Sequence, residues 1–262
     1  MARILQLTDL HVFASAGQQL KGIPTRELLQ QVVDHIQATE PAFDRVIITG
    51  DHTHDEQPES YRAVRDILSV WSDRLLHVPG NHDERALMQE GLSAVTHHAD
   101  GPDQLTFCSD IDNWRLIGLD THVPGEVAGH ISDRQIAWLT DRLAESGASH
   151  VGLFFHHPPL DVGSEWMDAI GLANREALHT VMAADERIRL ACCGHVHHEF
   201  TLDLGSARVF TTPSTGIQFD PEGTTPRFAT AAPGYRVIEL QPDGFQTHVV
   251  RLPTIPYAPV ND

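Results

Sequence analysis

The sequence predicts an α/β protein built on mixed β-sheets, and three observations predict it. Short apolar runs bounded by Gly, Pro or Asp recur along the 262 residues, which is how buried strands read. Stretches of helical periodicity separate several of these runs. From residue 199 onward strand-like segments follow one another without helices between them, so an antiparallel meander joins the alternating part.

The first strand is expected at 3–7, where an apolar run stops at Thr8 and Asp9, and helical periodicity follows at 26–38. A strand at 45–49, a helix at 59–70 and a strand at 75–78 repeat the alternation. Further strands are expected at 116–119, 150–155 and 188–193, with helices at 133–144 and 175–183 entered through Ser132 and Asn174 as N-caps. The meander comprises 199–204, 208–211, 235–240 and 246–252, so 199–252 is mostly strand. Its longest irregular piece, 213–233, is rich in Thr, Pro and Gly and reads as a substrate-side loop rather than a linker. With no internal repeat, residues 1–262 are expected to form one domain.

Composition narrows the function. Hydrophobic content of 41% and charged content of 21% are those of a globular protein, which disfavours disordered and fibrous classes. Eighteen Lys and Arg against 36 Asp and Glu give a net charge of −18, so nucleic acid and anionic membranes are not expected partners. A small anionic substrate would need a local reversal of sign, which bound divalent cations supply. The cysteines Cys108, Cys192 and Cys193 are too few for a disulfide framework and read as core residues. The N-terminus lacks a signal pattern and no apolar stretch is long enough to cross a bilayer, so a cytoplasmic location is expected. Eighteen histidines are the compositional surprise, because histidine is the commonest metal ligand.

Placement of those histidines carries the chemistry. Five predicted strands run into ligand-type residues: Asp9 and His11, then Gly50 and Asp51, then Gly80 to Asp83, then His156, then Gly194 to His197. Ligands bind at the carboxyl ends of strands in an open α/β sheet, so one edge gathers all of these groups. Two divalent ions about 3.5–4 Å apart need a bridging ligand with two oxygens, for which Asp51 is the natural candidate. Asp9, His11 and His197 can complete one shell, and Asn81, His156 and His195 the other. The one-residue gaps Asp9 to His11 and His195 to His197 suit convergence from extended segments, and Gly50, Gly80 and Gly194 permit tight turns beside the ligands. Any single histidine is more often a hydrogen-bonded loop residue, the reading given to His35, His150, His179 and His248; joint occurrence favours ligation. His82 has no coordination slot and is free to donate to a phosphate oxygen or protonate a leaving alkoxide.

Together these blocks resemble the complete signature of the calcineurin-like metallophosphoesterases, spread over residues 9–197 in the family's order and spacing. A closer similarity is to bacterial 3',5'-cyclic AMP phosphodiesterases, through residues 5–13, 79–83, 155–158, 213–219 and 232–235. The resemblance implies a four-layer αββα sandwich of two mixed sheets flanked by helices. It also implies two divalent ions, with iron(II) or manganese(II) favoured and zinc or cobalt compatible with the donors, and hydrolysis of cyclic AMP to 5'-AMP by a metal-bridging hydroxide. Substrate contacts are expected from His11, Asp51, Asn81, His82 and His197. Two dications against two carboxylates leave roughly +2 at the centre, enough to attract a small anion locally. The segment 50–55 departs from the pattern, which more usually has an aliphatic residue after the Asp; His52 and His54 are expected to be helpers outside the coordination shell, and His157 structural. Phe13, Trp166 and Phe219 are candidates for a base-stacking pocket, although single aromatics more often pack. Two alternatives share the residues: a glycerophosphodiester or other phosphoester hydrolase, and a non-catalytic scaffold. A homodimer is left open.

Overall fold

A computed structural model of the protein describes residues 1–92, 104–255 and 257–260. Thirteen strands are described, in chain order: β1 (Ala2–Leu7), β2 (Arg45–Thr49), β3 (Leu75–Val78), β4 (Phe107–Ile111), β5 (Trp114–Gly118), β6 (His150–Phe154), β7 (Ile188–Cys193), β8 (Thr201–Leu204), β9 (Ala207–Thr211), β10 (Gln218–Phe219), β11 (Phe228–Ala229), β12 (Gly234–Gln241) and β13 (Gly244–Arg251). The described α-helices are α1 (Thr25–Thr39), α2 (Pro58–Leu68), α3 (Arg85–Leu92), α4 (Asp133–Ala144), α5 (Glu165–Asp168) and α6 (Arg175–Ala184).

Two mixed sheets carry the fold. One has the order β13-β12-β1-β2-β3, parallel from β1 to β3 and antiparallel beyond β1. The other has the order β4-β5-β6-β7-β9-β8, with a parallel centre and antiparallel edges. Alternation along β1 shows how they pack. Ile4 points to a cluster shared with Val78, Phe154, Leu190 and Ile238, drawn from both sheets. Leu5 and Leu7 face the other way, onto Val32 and Ile36 of α1 and Val64 and Leu68 of α2. On the second sheet, Val151 and Leu153 meet Leu139 of α4 and Met182 of α6. Helices therefore cover both outer faces, giving the α/β/β/α layering expected from the resemblance.

Several local expectations need correction. Ser132 does cap α4, accepting the Gln135 N–H at 3.1 Å. Asn174 occupies the N-cap position of α6 as expected, but its side chain makes no capping bond and is paired with the backbone of Ile131, at 2.9 and 2.7 Å. Strand β4 is absent from the sequence reading because Phe107 and Ile111, the apolar residues of its core-facing side, are separated by Cys108, Ser109 and Asp110 and form no apolar run. His35, His150, His179 and His248 lie on α1, β6, α6 and β13 rather than in loops. His150 and His179 each place Nε2 on a proline carbonyl, at 3.1 and 2.6 Å. No described helix is long and apolar enough to cross a membrane.

Candidate metal centre

Strands β1, β2 and β3 are parallel, as are β6 and β7, so each set delivers its carboxyl ends to one edge. The loops leaving β1 and β2 run side by side: Asp9 N–H donates to Gly50 O and His11 N–H to Asp51 O, both at 3.0 Å. Two groups of donors then close on one atom. His11 Nε2 lies 3.5 Å and His156 Nε2 3.4 Å from Asp51 Oδ2. Around the first group, His197 Nε2 is 3.1 Å from His11 Nε2 and 3.2 Å from Asp9 Oδ1. Around the second, Asn81 Oδ1 is 3.2 Å from His156 Nε2 and 3.0 Å from His195 Nδ1. All seven residues expected at the centre are thus brought together.

Those separations fit coordination. Donors at about 2.1 Å from one ion sit about 3.0 Å apart at octahedral angles and about 3.4 Å apart at tetrahedral ones. The outward nitrogens give an independent indication: His156 Nδ1 lies 2.7 Å from Thr49 O, His197 Nδ1 2.8 Å from Ile217 O and His195 Nε2 3.0 Å from Ile170 O. A carbonyl accepts only, so each ring carries a proton outward and aims its other nitrogen, the donor to an ion once deprotonated, at the centre. Asp51 uses its oxygens differently from the expectation that both would bridge: Oδ1 accepts the His82 N–H at 2.8 Å, leaving Oδ2 common to both groups.

Convergence does not come from extended alternation as the spacing suggested. Asp9, His11, Asp51, His195 and His197 have φ of 53°, 45°, 53°, 71° and 44°, so each turns through the left-handed region that non-glycine residues avoid. Gly50 is required twice over: its φ is 97°, and a Cβ there would lie 2.4 Å from His156 Nδ1.

The calcineurin-like phosphoesterase profile matches residues 2–199, most of the chain. The chain belongs to that family. It is 36% identical over 241 residues to the 3',5'-cyclic adenosine monophosphate phosphodiesterase CpdA of Pseudomonas aeruginosa, covering 92% of this chain and 86% of the relative. The Escherichia coli K12 protein of the same name is 34% identical over 98% of this chain and 92% of its own. Among solved structures, a dimetal phosphatase from Danio rerio superposes with a TM-score of 0.68 at 17% identity, covering 94% of this chain and 98% of that one.

Electrostatics at the centre of this phosphoesterase favour a cation. Burial alone would lower His156, but the carboxylates of Asp51 and Asp9 outweigh it and lift the ring to about 9. Burial and the neighbouring His156 push His195 down to about 3. Asp51, despite burial, is held well below the usual carboxylate range by His156 and His82. His157 also lies close to His156 and His195. Its nitrogens are engaged by Thr121 Oγ1 at 2.8 Å and Val127 O at 3.0 Å, which leaves no lone pair for an ion, in keeping with a structural role. His52 points away from the centre, with Nδ1 2.9 Å from Asp83 Oδ2 and Nε2 2.9 Å from His77 Nδ1. His54 stands behind His11, with its Nδ1 3.3 Å from His11 Nδ1, on the side away from the donor nitrogen.

The aromatic candidates pack instead of opening a pocket. Phe13 and Trp166 are buried, Phe13 against His54 and Trp166 with its Nε1–H on Asp220 O at 3.3 Å. Phe219 stacks on His197 with ring centroids 3.9 Å apart and planes at 3°, so one face of its ring braces a donor of the centre.

Proposed function

We propose that this phosphoesterase hydrolyses a 3',5'-cyclic nucleotide, cyclic AMP, to the 5'-monophosphate, with Asp9, His11, Asp51 and His197 holding one divalent ion and Asp51, Asn81, His156 and His195 a second. The observation that carries the reading is the closure of both donor groups on Asp51 Oδ2. Nitrogen and oxygen donors with no thiolate suit iron(II) or manganese(II), and also zinc or cobalt. Bound ions would supply Lewis acidity toward phosphate oxygens and a nucleophile from water near neutral pH. The substrate class is supported by similarity to the two CpdA proteins across almost the whole chain.

The chain's own residues do the rest. Asp51 Oδ1, by accepting the His82 N–H, fixes the backbone from which His82 reaches the substrate. Among the described residues the His82 ring nitrogens take no hydrogen-bond partner, so the ring is free to donate to a phosphate oxygen and to protonate the departing 3' oxygen. His11, Asp51, Asn81 and His197 line the same phosphate position. A cavity of about 600 Å³ lined by Glu56, Asp83, Arg85 and His122 borders the His82 loop and leaves room for the nucleoside.

Metal analysis coupled to a substrate panel tests the reading. Cyclic AMP should be hydrolysed in preference to 2',3'-cyclic nucleotides and glycerophosphodiesters, by protein carrying about two ions per chain. Cleavage of the other esters with cyclic AMP untouched would overturn the substrate assignment.

A further inference from the structure

We infer that His54 is a positioning residue for His82, holding its imidazole by ring stacking while itself anchored to His11. The inference rests on the role proposed above for His82. The loop 51–54 grips His82 at three points. Asp51 Oδ1 takes its N–H at 2.8 Å, the Thr53 hydroxyl donates to its carbonyl at 3.2 Å, and the His54 ring stacks on its ring with centroids 4.8 Å apart and planes at 22°. The first two contacts fix the backbone and leave χ1 and χ2 of the side chain undetermined; the stack is what selects the ring's direction. His11 approaches edge-on at 5.0 Å and closes another side.

His54 is itself well placed to act as a fixed platform. Phe13 packs on it at 4.9 Å, its backbone N–H donates to Val12 O at 3.1 Å, and its Nδ1 lies 3.3 Å from His11 Nδ1. His156, His195 and His197 set their outward nitrogens on carbonyls; His11 sets its own on His54. With the His11 Nε2 lone pair turned to the centre, His11 Nδ1 carries the proton and donates it to His54 Nδ1, which fixes His54 as the Nε2–H tautomer. One side chain thereby orients a proposed metal donor and the proposed acid together.

The two contacts separate by substitution. His54→Phe keeps the stack and loses the acceptor, His54→Asn keeps an acceptor near the Nδ1 position and loses the stack, and His54→Ala loses both. With metal saturating and its content measured in each variant, kcat for cyclic AMP should fall about 30-fold in His54→Ala and His54→Asn with KM changed less than about threefold, and His54→Phe should recover most of the loss. Bis(p-nitrophenyl) phosphate, whose leaving group needs no proton, should lose clearly less than cyclic AMP in His54→Ala and His54→Asn, because only the bond from His82 to the phosphate oxygen is then weakened. In metal-free protein, the His82 ring resonances should carry a ring-current shift that survives in His54→Phe and disappears in His54→Ala. Equal losses on both esters, or failure of His54→Phe to recover, would overturn the inference. His82→Ala serves as the reference: if it shows no dependence on leaving group, the role of His82 falls and not that of His54 alone.

Discussion

Asn81 and His156 each enter the centre through a single donor atom; Asn81 is half-buried and its truncation deletes little else, whereas His156 is fully buried and its truncation also releases Thr49 O. Asn81→Ala and His156→Ala should reduce phosphodiester turnover at least about 100-fold while the folded near-UV spectrum is kept. Unchanged turnover in both would reject the two-ion reading and favour a scaffold. A sharper contrast lies behind Asp51, where Asp83 is buried among the N–H of Gly80, the N–H and ring of His52 and the Tyr61 hydroxyl. The His52 ring continues to His77, whose Nε2 is buried with no hydrogen-bond partner among the described residues. His52→Leu strips Asp83 of a donor and strands both His77 nitrogens, and should cost about 2–3 kcal/mol in denaturant unfolding. His77→Leu exchanges one unpaired acceptor for another and should cost less than about 1 kcal/mol. The double variant should be more stable than His52→Leu alone; simple additivity would show that the two rings do not act together. The identities of the seven converging residues were legible because metal chemistry demands those types at strand ends. The left-handed φ values of five of them were not, since Asp and His visit that region more readily than most residues but still at only a minority of positions.

At the level of elements, the long helices and the strands other than β4, β10 and β11 followed from periodicity, whereas α3 did not. Its eight residues offer Met88 and Leu92 as buried apolar contacts, and Gly91 lies tight against α2, where a Cβ would lie 2.5 Å from Tyr61 Cβ. A contact made through the absence of a side chain leaves no hydrophobic signal. The segment 213–233 was legible only as irregular and near the substrate. In the folded chain it carries β10 and β11, which bring Phe219 flat against His197 and set Ile217 O on His197 Nδ1. A hairpin of two-residue strands has little stability of its own, so these contacts hold the hairpin and the histidine in place together. Phe219→Ala should therefore weaken metal binding about tenfold, measured by calorimetric titration of metal-free protein, with smaller loss in Phe219→Trp. An unchanged affinity would show that the carbonyl of Ile217 suffices to orient the ring.

Over the whole molecule, a net charge of −18 surrounds a centre that must receive cations and then a phosphate anion. Surface charge is screened beyond about 8 Å, so the buried groups decide the energetics. Without metal the centre is partly neutralised from within: His156, lifted to about 9 against burial by Asp51 and Asp9, is protonated at neutral pH and offsets one of the two carboxylates. The sign of the pH dependence follows. A ring raised above its unfolded value near 6.5 stabilises the metal-free fold fully below that pH, by roughly 3 kcal/mol, and the contribution is lost as pH rises toward 9. Metal binding runs the other way, because an ion must first expel that proton; affinity at the second group should rise about tenfold per pH unit from 7 and level off near 9. The difference in Tm between metal-loaded and chelator-treated protein should accordingly widen between pH 6.5 and 9. Parallel melting scans across that interval would measure it, and a gap that stays constant would mean that His156 carries no proton for the ion to displace.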